Sequence, residues 1–131
     1  MTETIKGRKI APGTATGEAL VTNQSLSFYG GVDPETGIVV EKGHELEGQS
    51  ITGKVLAFPS GKGSTVGSYV LYQLAKTGKG PVAIINQQTE TIVAVGCIIG
   101  DIPAIDKVPI NKIKAGQKIR VDATNGLVEL L

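Results

Sequence analysis

Residues 60–65 read SGKGST, set between the apolar run KVLAFP and a segment with helical spacing. The residue types there could do chemistry. Gly61 and Gly63 let backbone N–H groups approach a ligand closely. A helix start just downstream favours anionic oxygens. Lys62 adds positive charge, and Ser60, Ser64 and Thr65 offer hydroxyls. Three readings stay open on this local pattern: a tight structural turn, a loop for an anion or substrate, and, weakest of the three, a hydroxyl used in catalysis. For the last, a serine acting as a base needs its alkoxide held by preorganised donors or positive charge, and the helix start and Lys62 would supply part of that. The pattern is not a nucleotide loop of the GxxxxGK type followed by Ser or Thr. Gly63 follows Lys62, and Leu56 stands where the first glycine belongs.

Other candidates are weaker. His44, the only histidine, sits in the polar segment HELEG and reads as a surface or hydrogen-bonded residue, with no Ser-His-Asp set around it. DPETG, residues 33–37, reads first as a turn and second as an interface or site. Cys97 lies among Val93, Val95, Ile98 and Ile99 and reads as core. Asp101 is a site candidate if a strand ends just before it. Arg120, in an alternating strand, could hold a carboxylate, but a solvated strand face is the better reading.

The elements that must position this loop are short. The 131 residues suffice for one compact domain, taken as residues 1–131. Eighteen glycines punctuate the apolar runs and favour many short strands over a helical bundle. RKIAPGTATGEALV reads as two strands around a turn, and Ile38–Val40 as a short strand. KVLAFP and PVAIIN read as core strands. A helix is expected from near Ser64 to a stop at Gly78, with Val66, Val70 and Leu74 on one face. TETIVAVGCII is open between a helical turn and a buried strand. KAGQKIRVDATNGLVEL reads as a closing hairpin turning at Asn125-Gly126. The fold class is therefore mixed β/α, mostly short strands with one or two packed helices.

Composition narrows the function. The net charge is +1, with only two arginines and 4% aromatics, so neither a basic stripe nor a stacking platform for nucleic acid is expected. TIVAVGCIIG is too short to cross a bilayer. The polar opening MTETIKGRK lacks a secretory apolar core, and one cysteine builds neither an internal disulfide nor a multi-cysteine metal site, so a cytoplasmic setting is expected.

Taken in order, IAPGTATGEALV, DPETG, HELEGQSITGKVLAFPSGKGST and PVAIIN resemble the small subunit of the aconitase X family, over nearly the whole chain. The resemblance implies a swivelling β/β/α domain in a heteromeric hydro-lyase, active only with a large subunit. It implies an iron–sulfur cluster of the 4Fe-4S type on that large subunit; one cysteine here cannot build it. The implied substrate is a phosphorylated hydroxy acid. The reaction is dehydration of (R)-mevalonate 5-phosphate to trans-anhydromevalonate 5-phosphate, in an archaeal-type mevalonate route to isoprenoids. Ser64 is implied to take the C2 proton. Lys62 would bind phosphate or carboxylate, Gly61 and Gly63 would allow close approach, and Ser60 and Thr65 would orient the loop. The alternatives are a non-catalytic swivelling or anion-binding domain, or a relative acting on a hydroxyproline or another hydroxy acid.

Overall fold

The computed structural model describes residues 3–131. In chain order its elements are β1 (Glu3–Lys6), β2 (Arg8–Ala11), β3 (Thr14–Val21), β4 (Leu26–Ser27), β5 (Val55–Phe58), β6 (Gly61–Lys62), α1 (Gly67–Lys76), β7 (Ala83–Asn86), α2 (Thr91–Gly100), β8 (Ala104–Asp106), a 3-10 turn at Ile110–Lys112, β9 (Lys118–Asp122) and β10 (Leu127–Leu130). This is the mixed β/α architecture of short strands and packed helices that the sequence predicts, as a swivelling β/β/α domain requires. The closing hairpin is β9–β10, with Leu127 opposite Asp122. Ile38–Val40 makes only isolated bridges, Val39 to Val32 and Ile38 to Ser50.

Eight strands form one sheet in the order β1-β10-β9-β3-β5-β7-β8-β2. From β1 to β3 neighbours are antiparallel, and from β3 to β8 they are parallel. β3 serves both halves: Thr14–Glu18 pair with β9, and Ala19–Val21 pair with β5. β1 and β2, at opposite ends of the order, are one chain bent at Gly7. A Cβ on Gly7 would lie 2.5 Å from the Asp106 carbonyl oxygen, so the bend requires glycine. The sheet thus folds over itself and encloses a core.

That closure explains the unbroken apolar strands. Val55 and Ala57 of β5 point into the enclosed core with Ile85, Ile105 and Ile119. Leu56 and Phe58 point outward against the helices and the 26–51 segment, with Leu71, Leu74 and Phe28. β5 and β7 are buried on both faces, which removes any place for a polar alternation.

α1 ends as expected. Gly78, at φ +73, follows it, and Lys79 N donates to Leu74 O at 2.9 Å. Its start differs: the helix begins at Gly67, and Val66 is exposed, while Val70 and Leu74 are buried. α2 settles the open reading of TETIVAVGCII as a complete helix. The Glu90 carboxylate accepts Ile92 N and Val93 N at 3.0 and 2.9 Å, capping the start. Packing overrides the β-branched run. Gly96 lies so close to α1 that a Cβ would sit 2.7 Å from Leu71 Cδ1, and Ser68 Oγ donates to Ile92 O at 2.7 Å. Cys97 is buried between helix and sheet, as expected, and burial pushes its thiol up to about 12.

One buried charge ties the sheet to the segment before α2. Arg8 Nε and Nη2 donate to the two Asp106 oxygens at 2.9 and 2.7 Å, and Thr89 N donates to Oδ2 at 2.9 Å. Burial pushes the Asp106 carboxyl up. The Arg8 and Thr89 hydrogen bonds and the charges of Arg8 and Lys107 outweigh it, so the carboxyl is held below its usual range. A depressed carboxyl contributes stability above its unfolded pKa, about 3.9, and loses it as pH falls through the folded value. Asp106→Asn should therefore lower Tm at pH 7, with the gap to wild type closing below about pH 4. Thermal melts across pH check this; a gap independent of pH would contradict it.

Candidate active site

The parallel strands β3, β5, β7 and β8 end together, at Val21, Phe58, Asn86 and Asp106. Loops leaving this carboxyl edge are favoured for function in parallel sheets. The SGKGST loop leaves it from β5, and four contacts fix its course. Asn86 Nδ2 donates to Phe58 O at 2.9 Å. Pro59 O accepts Gln87 N and Gln88 N, each at 3.1 Å, and Ser60 O accepts Leu26 N at 3.3 Å. Gly61 and Lys62 then pair in parallel with Leu26 and Ser27.

Packing explains both glycines. A Cβ on Gly61 would lie 2.5 Å from Val93 Cγ2 and 2.7 Å from Glu90 Oε1. Gly63 takes φ +92, where side chains are strained, and a Cβ there would collide with Ser27 Oγ. The loop is pressed between β4 and the capped start of α2. Lys62 is held as well: its Nζ donates to Glu41 Oε2 at 2.8 Å. Glu41 Oε1 accepts Ser27 N at 3.4 Å, so one carboxylate joins both strands of the pair. Burial pushes the Glu41 carboxyl up. Lys62 and the Ser27 N–H outweigh this and hold it below the usual range.

Ser64 lies on the open side of the loop. It is exposed, its Oγ accepts Val66 N at 3.2 Å, and its carbonyl accepts Gly67 N at 2.9 Å. It precedes α1 rather than capping it. No acidic residue occupies the first turn of α1, so the positive helix end beside Ser64 is not offset there. Thr65 is exposed next to it, and Ser60 is half-buried.

Of the other candidates, His44 lies beside the loop, lining one hollow with Glu41 and Lys62, and Asp33 shares a groove with Val66. His44 is buried: Nδ1 accepts Leu46 N at 3.0 Å and Nε2 contacts Ser25 O at 3.1 Å, which places the ring hydrogen on Nε2. DPETG is a turn in which Asp33 Oδ1 accepts Glu35 N at 2.9 Å. Asp101 follows a helix, not a strand; at φ 55 it ends α2, at the opposite edge of the sheet from Ser64. Arg120 pairs across the hairpin with Glu129 at 3.3 Å through one nitrogen. Sequence reading missed Ser27 and Glu41. They lie far from the loop in sequence, and no local pattern marks them.

Among the described residues, no three His, Cys, Asp or Glu side chains could hold a metal ion. Cys97, buried with its thiol pushed up to about 12, is a poor thiolate ligand. This chain's residues do not fit an iron–sulfur cluster.

The folded-over sheet with two helices on one face, carrying a clamped Ser-Gly loop at its carboxyl edge, defines a swivelling β/β/α domain. The chain belongs to the aconitase X swivel domain family, whose model matches residues 4–130. It is 59% identical over 127 residues to the phosphomevalonate dehydratase small subunit of Thermococcus kodakarensis, covering 97% of this chain and 96% of that one. It is 56% identical over 130 residues to the corresponding subunit of Methanosarcina acetivorans, covering 97% and 90%. The crystal structure of Thermococcus kodakaraensis aconitase X in its holo form superposes with a TM-score of 0.96 at 58% identity, covering 98% of both chains.

If Lys62 is what holds the Glu41 carboxyl down, Lys62→Met should raise the Glu41 pKa. A carboxyl-carbon NMR titration reads it directly, and an unchanged value would contradict the pairing.

Proposed function

We propose that residues 1–131 form one swivelling domain, the small subunit of a cytoplasmic hydro-lyase that dehydrates (R)-mevalonate 5-phosphate. The observation that carries this is the placement of Ser64: an exposed hydroxyl at the positive start of α1, on a loop whose preceding residues Gly61, Lys62 and Gly63 are packed or paired against Val93, Glu41 and Ser27. The likeness to phosphomevalonate dehydratase small subunits supports the reaction.

The chemistry asked of Ser64 is removal of the C2 proton while the C3 hydroxyl leaves as hydroxide, which an iron–sulfur cluster on the large subunit would take up as a Lewis acid. Ser64 enters as the alkoxide and leaves the step as the hydroxyl. The Val66 N–H, 3.2 Å from Oγ, and the start of α1 stabilise the alkoxide's charge. In the free chain, water surrounds Ser64 and weakens these interactions. A large subunit that closes over the loop expels that water and strengthens them. The iron–sulfur cluster of this reading belongs to the large subunit. Lys62 has its ammonium on Glu41, so its first part is to hold the loop; a substrate phosphate or carboxylate would have to share it.

Small and large subunits, prepared anaerobically, would be assayed apart and mixed. Product is expected only from the mixture. Ser64→Ala should assemble normally and lose turnover by roughly 10²–10⁴-fold, the usual contribution of a positioned base. Equal turnover by S64A would make this chain a non-catalytic closing domain. An inactive but cluster-loaded wild-type complex would point to a hydroxyproline or other hydroxy acid.

A further inference from the structure

The strand pair that carries the loop toward Ser64 is very short: Leu26 faces Gly61, and Ser27 faces Lys62. A pairing of this length is marginal by itself. One side chain spans it. Glu41 Oε1 accepts Ser27 N of β4 at 3.4 Å, and Oε2 accepts Lys62 Nζ of β6 at 2.8 Å. The backbone carrying that carboxylate is itself seated. Glu41 N donates to Gly31 O at 3.2 Å, and Glu41 O accepts His44 N at 3.2 Å. His44 is buried in turn, with Nδ1 accepting Leu46 N at 3.0 Å. Gly31 leaves the space the carboxylate needs, since a Cβ there would come within 3.0 Å of Glu41 Oε1.

We propose that Glu41 is a positioning residue: it sets the place of the Ser64 hydroxyl by holding β6 against β4. The consequence for turnover rests on the functional reading above; the bracing of the loop does not. Glu41 acts through two neighbours. Ser27, whose N–H it accepts, presents the Oγ over which Gly63 turns at φ +92. Lys62 enters that turn and Ser64 leaves it. With Ser27 and Lys62 tied to one carboxylate, the turn between them has one course, and Ser64 is delivered at its end. The task requires two acceptors on one side chain. Glutamine has the same shape but a single acceptor oxygen, so its NH2 would face either the Lys62 ammonium or the Ser27 N–H. The Lys62 side chain is 50% exposed and that of Glu41 23%. Pairs this open add little to stability. The effect lies instead in geometry, where a misplacement of about 1 Å can lower a rate about a hundredfold.

The test compares wild type with Glu41→Gln, Ser64→Ala, their double variant and Glu129→Gln, which breaks the exposed Arg120–Glu129 pair on the far hairpin. Each is assayed for kcat and KM with saturating, cluster-loaded large subunit, and for amide exchange and Tm as the free chain. Glu41→Gln should lower kcat by about tenfold to a hundredfold, with KM and Tm near wild type. The Leu26 amide, which donates to Ser60 O across the pair, should exchange faster, as should that of Ser27. Glu129→Gln should change none of these. Because Glu41 acts through Ser64, adding Glu41→Gln to Ser64→Ala should lower the residual turnover no further. Wild-type kcat and exchange in Glu41→Gln would overturn the proposal. So would an equal loss of kcat in the Ser64→Ala background, which would make Glu41 act apart from Ser64. Faster Leu26 exchange in Glu41→Gln, beside a wild-type complex that does not dehydrate (R)-mevalonate 5-phosphate, would support the brace and remove the reaction reading.

Discussion

Burial of β5 and β7 on both faces is the constraint from which the rest of the molecule follows. Val55, Ala57, Ala83 and Ile85 fill the enclosed core, and Leu56, Phe58 and Ile84 pack under the outer layer. Burying a Val, Leu, Ile or Phe side chain is worth about 1.5–3 kcal/mol, and Val55, Leu56, Phe58, Ile84 and Ile85 are all fully buried. Neither strand can then place a reactive group along its length. Their polar functions are confined to the ends, and parallel pairing brings those ends to one edge. The fold puts chemistry at the carboxyl edge because it leaves little room for it elsewhere.

At that edge the same packing shapes the loop. Glu90 caps α2 and, with Val93, presses on Gly61; Ser27 presses on Gly63; Glu41 gathers Lys62 and Ser27. All of these contacts fall on the residues that precede Ser64 in the loop or on their partners. Ser64 itself is exposed, with Oγ accepting Val66 N, so the hydroxyl is held yet open to an incoming molecule. A serine used as a base works only once its surroundings are completed and dry.

Much of this was legible in the sequence where the physics is local. VLAF and AIIN declared buried strands, Asn125-Gly126 declared the hairpin, and Gly78 declared the end of α1. SGKGST was marked by composition, and the resemblance singled out Ser64 within it. What escaped depends on partners distant in the chain. The β4–β6 pair is only two residues on each side and has no pattern to read. Glu41 meets Lys62 because the 26–51 segment folds back, not because of spacing. α2 was ambiguous because an uncharged run has no polar face from which to read a period; Glu90 at its start was the available clue. Val66 was assigned to the buried face of α1 by spacing alone, yet the helix begins after it and its side chain stays in solvent. The bend at Gly7 that closes the sheet is equally silent, since a glycine between two polar stretches reads as an ordinary turn.

The central claim is that Ser64 Oγ removes a proton from C2 of the substrate. The most direct measurement is deuterium entry at C2 of the substrate pool, followed by NMR, as the assembled complex equilibrates (R)-mevalonate 5-phosphate with its dehydration product in heavy water and the reverse hydration returns a solvent deuteron to C2. The wild-type complex should carry deuterium into C2, and the S64A complex, with equal substrate binding, should not. Exchange at the wild-type rate in S64A would place the base elsewhere and contradict the account.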